Sequence, residues 1–304
     1  MYSGMNTSYE YSFAPYAKER LKKEMDEKSQ EAYGFYSIFG WLVWDQNIFD
    51  KKWWADFEMN LKNVNVDEFA MFFGKEEDDV EELLEYVPNA KKYIAILFKD
   101  WLKSVIIYEN MKYNLNKTEN KFINFNYSET LQKCFNVNED KVYYIHGAIH
   151  KDDVLIFGHN AKGKYTQEDI DNATRMGGRL QTAVIFDALI EKVFNKFISK
   201  NCEKLDESKF IKYKNVRRVF VLGHSMNDVD FDYFVHIGTH IAFNAPEESQ
   251  IEWIFTAYNE DDKTRIESYC EKFYVKNKIY RGPEAIDDVI KEYGLSIEEE
   301  TKRS

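Results

Sequence analysis

Cysteine is scarce in this chain, and the three present, Cys134, Cys202 and Cys270, lie far apart with no CxxC pair. An odd, dispersed set excludes a disulfide framework, suggests no thiolate zinc site and fits reduced, buried thiols. Proline occurs 4 times and glycine 13 times in 304 residues, which excludes collagen-like, linker-rich and low-complexity readings. No apolar run approaches the length of a membrane span, and residues 1–30 are polar without a signal-peptide core. The expected location is therefore the cytoplasm, with no membrane partner. Positive charge is also in deficit, 41 Lys and Arg against 53 Asp and Glu, a formal net charge of -12. Lysines are interspersed with acids as on solvated helix faces, so generic nucleic-acid binding is not expected.

Apolar and aromatic residues, by contrast, are plentiful. Hydrophobic residues make up 44% and aromatics 16%, enough for a sizeable core and against wholesale disorder. The pattern from about 16 to 118 is helical. Ala17 to Glu24 reads as a charged helix, and the acidic run Glu76 to Asp79 suits a helix N-terminus. Between Lys91 and Met111, Ile94, Leu97, Phe98, Trp101, Leu102, Val105 and Ile106 fall at spacings of three and four, which define one buried stripe. Trp41, Trp44, Trp53, Trp54 and Phe57 crowd a short stretch that reads as core.

From about 119 to 290 the period changes. Short apolar runs at Phe122 to Phe125, Val142 to Ile145, Val154 to Phe157, Val216 to Leu222 and Ile251 to Ala257 read as buried strands. Amphipathic stretches at Gln181 to Ser199 and Lys263 to Phe273 read as helices. Strands without polar alternation, separated by helices, predict an α/β fold: a mostly parallel sheet covered on both faces. The chain is expected to form one domain, with a helical insertion in its N-terminal half and a tail over 291–304.

In such sheets ligands bind at the carboxyl ends of the strands, and here each strand ends in polar residues. These ends are Asn126-Tyr127-Ser128, His146-Gly147, Gly158-His159-Asn160 and Gly223-His224-Ser225, the last followed by Asp228 and Asp230. All six histidines, His146, His150, His159, His224, His236 and His240, fall within this half. Three of them touch a glycine, which lets backbone approach a ligand closely, and histidine titrates near neutrality. No HxH or HExxH spacing accompanies them, so no metal is predicted.

The ordered set Phe125 to Leu131, His146-Gly147, Gly158-His159 and Gly223-His224-Ser225 with Asp228 and Asp230, together with Trp54-Ala55-Asp56-Phe57-Glu58, resembles the bacterial AbiH-like abortive-infection family. That family is distantly similar to sirtuin-type domains, whose Rossmann-like sheet binds NAD. The resemblance implies a phage-defence protein with a nucleotide ligand, NAD or a relative of it. It puts Asn126 where the sirtuin asparagine positions water and ribose, and His146 where the catalytic histidine stands. Tyr127, Gly147, Gly158, His159, Gly223, His224, Ser225, Asp228 and Asp230 become nucleotide-contacting candidates. Asp228 and Asp230 read equally well as a helix N-cap. The sirtuin CxxC zinc module has no counterpart, which turns the implied chemistry from protein deacylation towards NAD hydrolysis.

The family opens with an apolar strand and a Gly-Asn-Gly-Phe-Asp loop, whereas this sequence opens at residues resembling those that follow that loop. The sequence is therefore expected to start internally. Loss of that loop favours the alternative reading, a non-catalytic nucleotide-sensing or protein-interaction module that engages a defence partner or a second copy of itself.

Overall fold

The computed structural model describes residues 13–27, 77–104, 114–115, 119–151, 153–159, 168, 171–172, 175, 188, 200, 213, 216–224, 226, 228–243, 251–257, 259–272, 275, 278–281 and 288–289. The chain divides into two compact units, one formed by residues 5–106 and 151–201, the other by 1–4, 107–150 and 202–304.

In the first, α1 (Ala14–Glu27) packs against α2 (Glu77–Ser104). Of the predicted stripe, Ile94, Leu97, Phe98 and Trp101 are buried on α2, and Phe13, Ala17 and Leu21 are buried at and along α1. Phe13 lies edge-on to Phe98 at 5.2 Å and 5.3 Å from Trp101, between ring centres. Glu77 to Asp79 of the predicted acidic run open α2. The same unit holds residues 153–159, which include the run Val154 to Phe157 expected to form a strand. They form none: Val154 is 87% exposed, while Leu155 and Phe157 are buried. Phe157 instead packs under the Lys91 ammonium, 5.4 Å from its ring centre. A short apolar run thus filled a core without joining a ladder. The aromatic cluster of residues 41–57 and the amphipathic stretch 181–199 lie outside the described residues, apart from Ala188, which is helical and buried.

The second unit carries the strands. β1 (Phe122–Asn124) pairs in parallel with β2 (Val142–Tyr144), the connection containing α3 (Thr130–Phe135). β3 (Arg218–Val221), α4 (Phe231–Phe243), β4 (Glu252–Thr256), α5 (Glu260–Lys272) and β5 (Lys278–Arg281) follow as a βαβαβ run, β4 pairing in parallel with both β3 and β5. The expectation of parallel strands separated by helices therefore holds for four of the five predicted runs, distributed over two ladders. β4, central in its ladder, is buried from Trp253 to Thr256 without alternation, as expected of a strand covered on both faces. On α5, Asn259 accepts the Asp262 N–H at 2.8 Å, an N-cap bond, and Asp262 pairs with Arg265. Tyr269 on the same helix donates its hydroxyl to the Phe234 carbonyl of α4 at 2.9 Å, which ties the two crossover helices together.

Phe125, directly after β1, is one packing link between the ladders, beside Val219 and Ile251. Its ring belongs to the margin of two buried clusters of this unit, one built on Trp253, Phe255, Ile266 and Tyr269, the other on Ile145, Tyr233, Ile237 and Ile241. It stacks on Phe234 at 5.0 Å with the planes 6° apart.

Candidate functional site

Because its strands are parallel, the carboxyl ends of β1 and β2 lie on one side of their ladder, and those of β3, β4 and β5 likewise. The residue types at these ends determine the turns. Asn124, the buried last residue of β1, accepts the Asn126 N–H on Oδ1 at 2.9 Å and donates Nδ2 to the Ser128 carbonyl at 3.4 Å. This Asx turn leaves Asn126 exposed and turns Tyr127 inward. After β2 the chain bends at His146-Gly147, Gly147 taking a φ of 85° that favours glycine. After β3, Gly223 takes a φ of 66° and donates its N–H to the buried Thr256 hydroxyl at 2.8 Å, which fastens the end of β3 to that of β4.

His146 is 3% exposed. Its Nδ1 lies 3.2 Å from the Phe125 carbonyl, which can only accept, so Nδ1 carries a hydrogen. Its Nε2 lies 3.2 Å from Asp230 Oδ1, off the direction of a regular hydrogen bond and at ion-pair distance. His224 approaches the same carboxylate from the other side, Nε2 to Oδ2 at 3.2 Å, while its Nδ1 accepts the Met226 N–H at 2.9 Å. With Nδ1 accepting, Nε2 carries the hydrogen and donates it to Asp230. One carboxylate thus bridges two imidazoles.

Aromatic rings enclose this set. Phe125 stands edge-on to both imidazoles, 5.5 Å from His146 and 4.6 Å from His224. Tyr233 meets His146 at 5.0 Å and Tyr127 lies over it at 5.9 Å. Inside such walls the effective dielectric is low, and a charged pair interacts more strongly than at the surface. A smaller polar network flanks β2, where burial pushes the Tyr144 hydroxyl up to about 12. Tyr144 therefore remains a donor at neutral pH, to Gln132 at 2.9 Å.

Of the residues singled out from sequence, the structure brings together His146, Tyr127, His224 and Asp230. Asn126 and Gly223 lie exposed at the ends of β1 and β3, and Gly147 is buried in the turn after His146. Asp228 is exposed at the start of the helical turn Asp228–Asp230 that leads into α4. Gly158 and His159 belong to the other unit, both buried, and Ser225 lies outside the described residues. Sequence reasoning missed two things: that the Asp230 carboxylate serves the two histidines, and that Phe125 walls them. The signal for Asp230 was its offset from His224, six residues across a helical turn, but nothing in the sequence linked either residue to His146.

Among the described residues no group of three or more His, Cys, Asp or Glu is placed to hold a metal ion, and no helix is long and apolar enough to cross a membrane. No curated protein and no solved structure shows significant similarity to the chain. The family model described as bacteriophage abortive infection AbiH matches residues 1–258. That match spans the helical half, the turn of Asn126, and the His146, His224 and Asp230 set, and the chain accordingly belongs to the abortive-infection AbiH family of phage-defence proteins.

Proposed function

We propose that the chain binds NAD, or a related nucleotide, at the carboxyl ends of its parallel strands and hydrolyses the bond between nicotinamide and ribose. In this reading the two ladders are parts of one Rossmann-like sheet in a single domain of a cytoplasmic protein. The observation that carries it is the juxtaposition of a buried His146–Asp230–His224 set with an exposed Asn126 and a left-handed Gly223 at strand ends. Strand ends are where ligands of such sheets bind, and a glycine at positive φ lets backbone approach a ligand closely.

The chemistry asks little of the protein. The glycosidic bond breaks with its electron pair leaving on nicotinamide, the ribose carbon becomes oxocarbenium-like, and one oriented water adds to it while losing a proton. Asn126 orients the water through its amide. His146, in its neutral form, takes up the proton, and nicotinamide and ADP-ribose are released. Tyr127, Gly147, Gly223, His224, Asp228 and Asp230 line the nucleotide or fix the loops that do.

One observation favours a second reading, a non-catalytic nucleotide sensor acting through a protein partner or a second copy. His146 is 3% exposed and both of its ring nitrogens face protein groups. The two readings separate in one experiment: nicotinamide release from NAD by the purified chain, measured beside calorimetric binding of NAD. Release that falls about a hundredfold or more in His146→Gln and Asn126→Ala supports hydrolysis. Binding without release supports the sensor, and neither binding nor release overturns the nucleotide reading.

A further inference from the structure

We infer that His146 is held as an imidazolium by Asp230, and that Asp230 is the positioning residue that sets the charge of this ring. Phe125 offers His146 Nδ1 a carbonyl, so that nitrogen is protonated. A neutral ring would then leave the buried Nε2 lone pair 3.2 Å from the Asp230 carboxylate, oblique to Oδ1 and among aromatic walls, whereas a charged ring meets that carboxylate at ion-pair distance. A proton shared by the pair turns this repulsion into attraction. Two facts put it on the imidazole. The ordinary proton affinity of histidine exceeds that of aspartate, about 6.5 against about 3.9 in pKa. The other oxygen of Asp230 already accepts the His224 Nε2–H, which favours the ionised carboxylate.

Among the described residues, the titratable groups facing the ring include Asp230 from the turn before α4, Tyr127 after β1 and Tyr233 on α4, with His224 behind the carboxylate. The two phenols add no charge at neutral pH, and the carboxylate 3.2 Å from Nε2 favours the charged ring. The consequence for turnover rests on the NAD reading: an imidazolium cannot accept the proton of water, and His146 becomes an acceptor only after its Nε2 proton has gone to solvent. Asp230 then sets the pH above which the site turns over.

The test uses the full chain with ring-15N-labelled histidine. Six histidines make the spectrum assignable, His146→Gln identifying the relevant pair of signals. Asp230→Asn is suited to the comparison, since its carbonyl oxygen can still accept from His224 while its amide donates to a neutral His146 Nε2. Near neutral pH, without NAD, His146 in the parent should carry hydrogen on both nitrogens, and its titration midpoint should fall by about one pH unit or more in Asp230→Asn. A parent ring protonated on Nδ1 alone, which needs no variant to observe, overturns the inference, as do equal midpoints in parent and variant. The rising limb of NAD turnover should move to lower pH by the same interval in Asp230→Asn. Absence of turnover in both proteins would instead strike the NAD reading and leave the charge state of His146 standing on the spectrum.

Discussion

Removal of the Phe125 ring should weaken the packing between the two ladders. The ring stacks on Phe234 at 5.0 Å and meets His146, His224 and Tyr233 edge-on, at the border of two buried clusters. It is half-buried, so truncation to alanine uncovers less than the full side chain. About 100 Å² of lost apolar burial at about 25 cal/mol per Å² gives about 2.5 kcal/mol. The aromatic pairs add about 0.5–1.5 kcal/mol. Phe125→Ala should therefore lower the unfolding free energy by about 3 kcal/mol, and Phe125→Leu, which keeps most of the apolar volume, by about 1 kcal/mol. In a urea melt followed by circular dichroism, the alanine variant should shift the midpoint by about 1 M or more, given slopes of about 1–3 kcal/mol per M. The histidine signals of His146 and His224 should also broaden or move, since their common wall is gone. An alanine variant within about 1 kcal/mol of the parent would refute the reasoning, because the ring would then not join the ladders.

Gly238 on α4 gives a prediction whose sign depends on a neighbour. A Cβ there would sit 3.1 Å from the Tyr269 hydroxyl, which is fixed by its bond to the Phe234 carbonyl at 2.9 Å. Helix propensity favours alanine by about 1 kcal/mol, but crowding in a packed interior costs about 1–3 kcal/mol. Gly238→Ala should destabilise the parent in thermal melts and do so less in a Tyr269→Phe background; equal effects in the two backgrounds would contradict the crowding. Cys270 is 1% exposed, and burial pushes its thiol up to about 11. Iodoacetamide at neutral pH should leave its peptide unmodified in native protein and label it after denaturation, as read by mass spectrometry. Tyr280, pushed up to about 12 by burial, is raised in the folded state, so its contribution is present below about 10 and lost as pH rises towards 12. Stability should accordingly decline above pH of about 10, and a Tyr280→Phe variant should decline less steeply.

The strands were legible because a parallel, doubly covered strand is an unbroken apolar run. β1, β2, β3 and β4 each lie within a run read from sequence. β5 escaped because Lys278-Ile-Tyr-Arg is short and half polar, as a strand at the end of a ladder can be. The run at Val154 to Phe157 misled for the converse reason: apolar length alone cannot tell a strand from an extended core-filling segment. α4 was hidden by its composition, since Phe231–Phe243 carries apolar residues on most of its circumference, including Phe234, Ile237 and Ile241. For the site, the strand-end rule located His146, His224 and Asp230 but not their relation. That relation comes from β1 and β2 packing beside β3 around Phe125, Val219 and Ile251, a contact between segments nearly a hundred residues apart that no local pattern encodes. The capping alternative for Asp230 named its place before α4 correctly and gave no hint of its bond to histidine.

The most direct test of the central claim is release of free nicotinamide from NAD by the purified full chain, followed by chromatography across pH, with His146→Gln and Asn126→Ala alongside. The account predicts release by the parent, rising with pH as His146 loses its Nε2 proton, and losses of about a hundredfold or more in both variants. No release at any pH, or equal release by parent and variants, would contradict it.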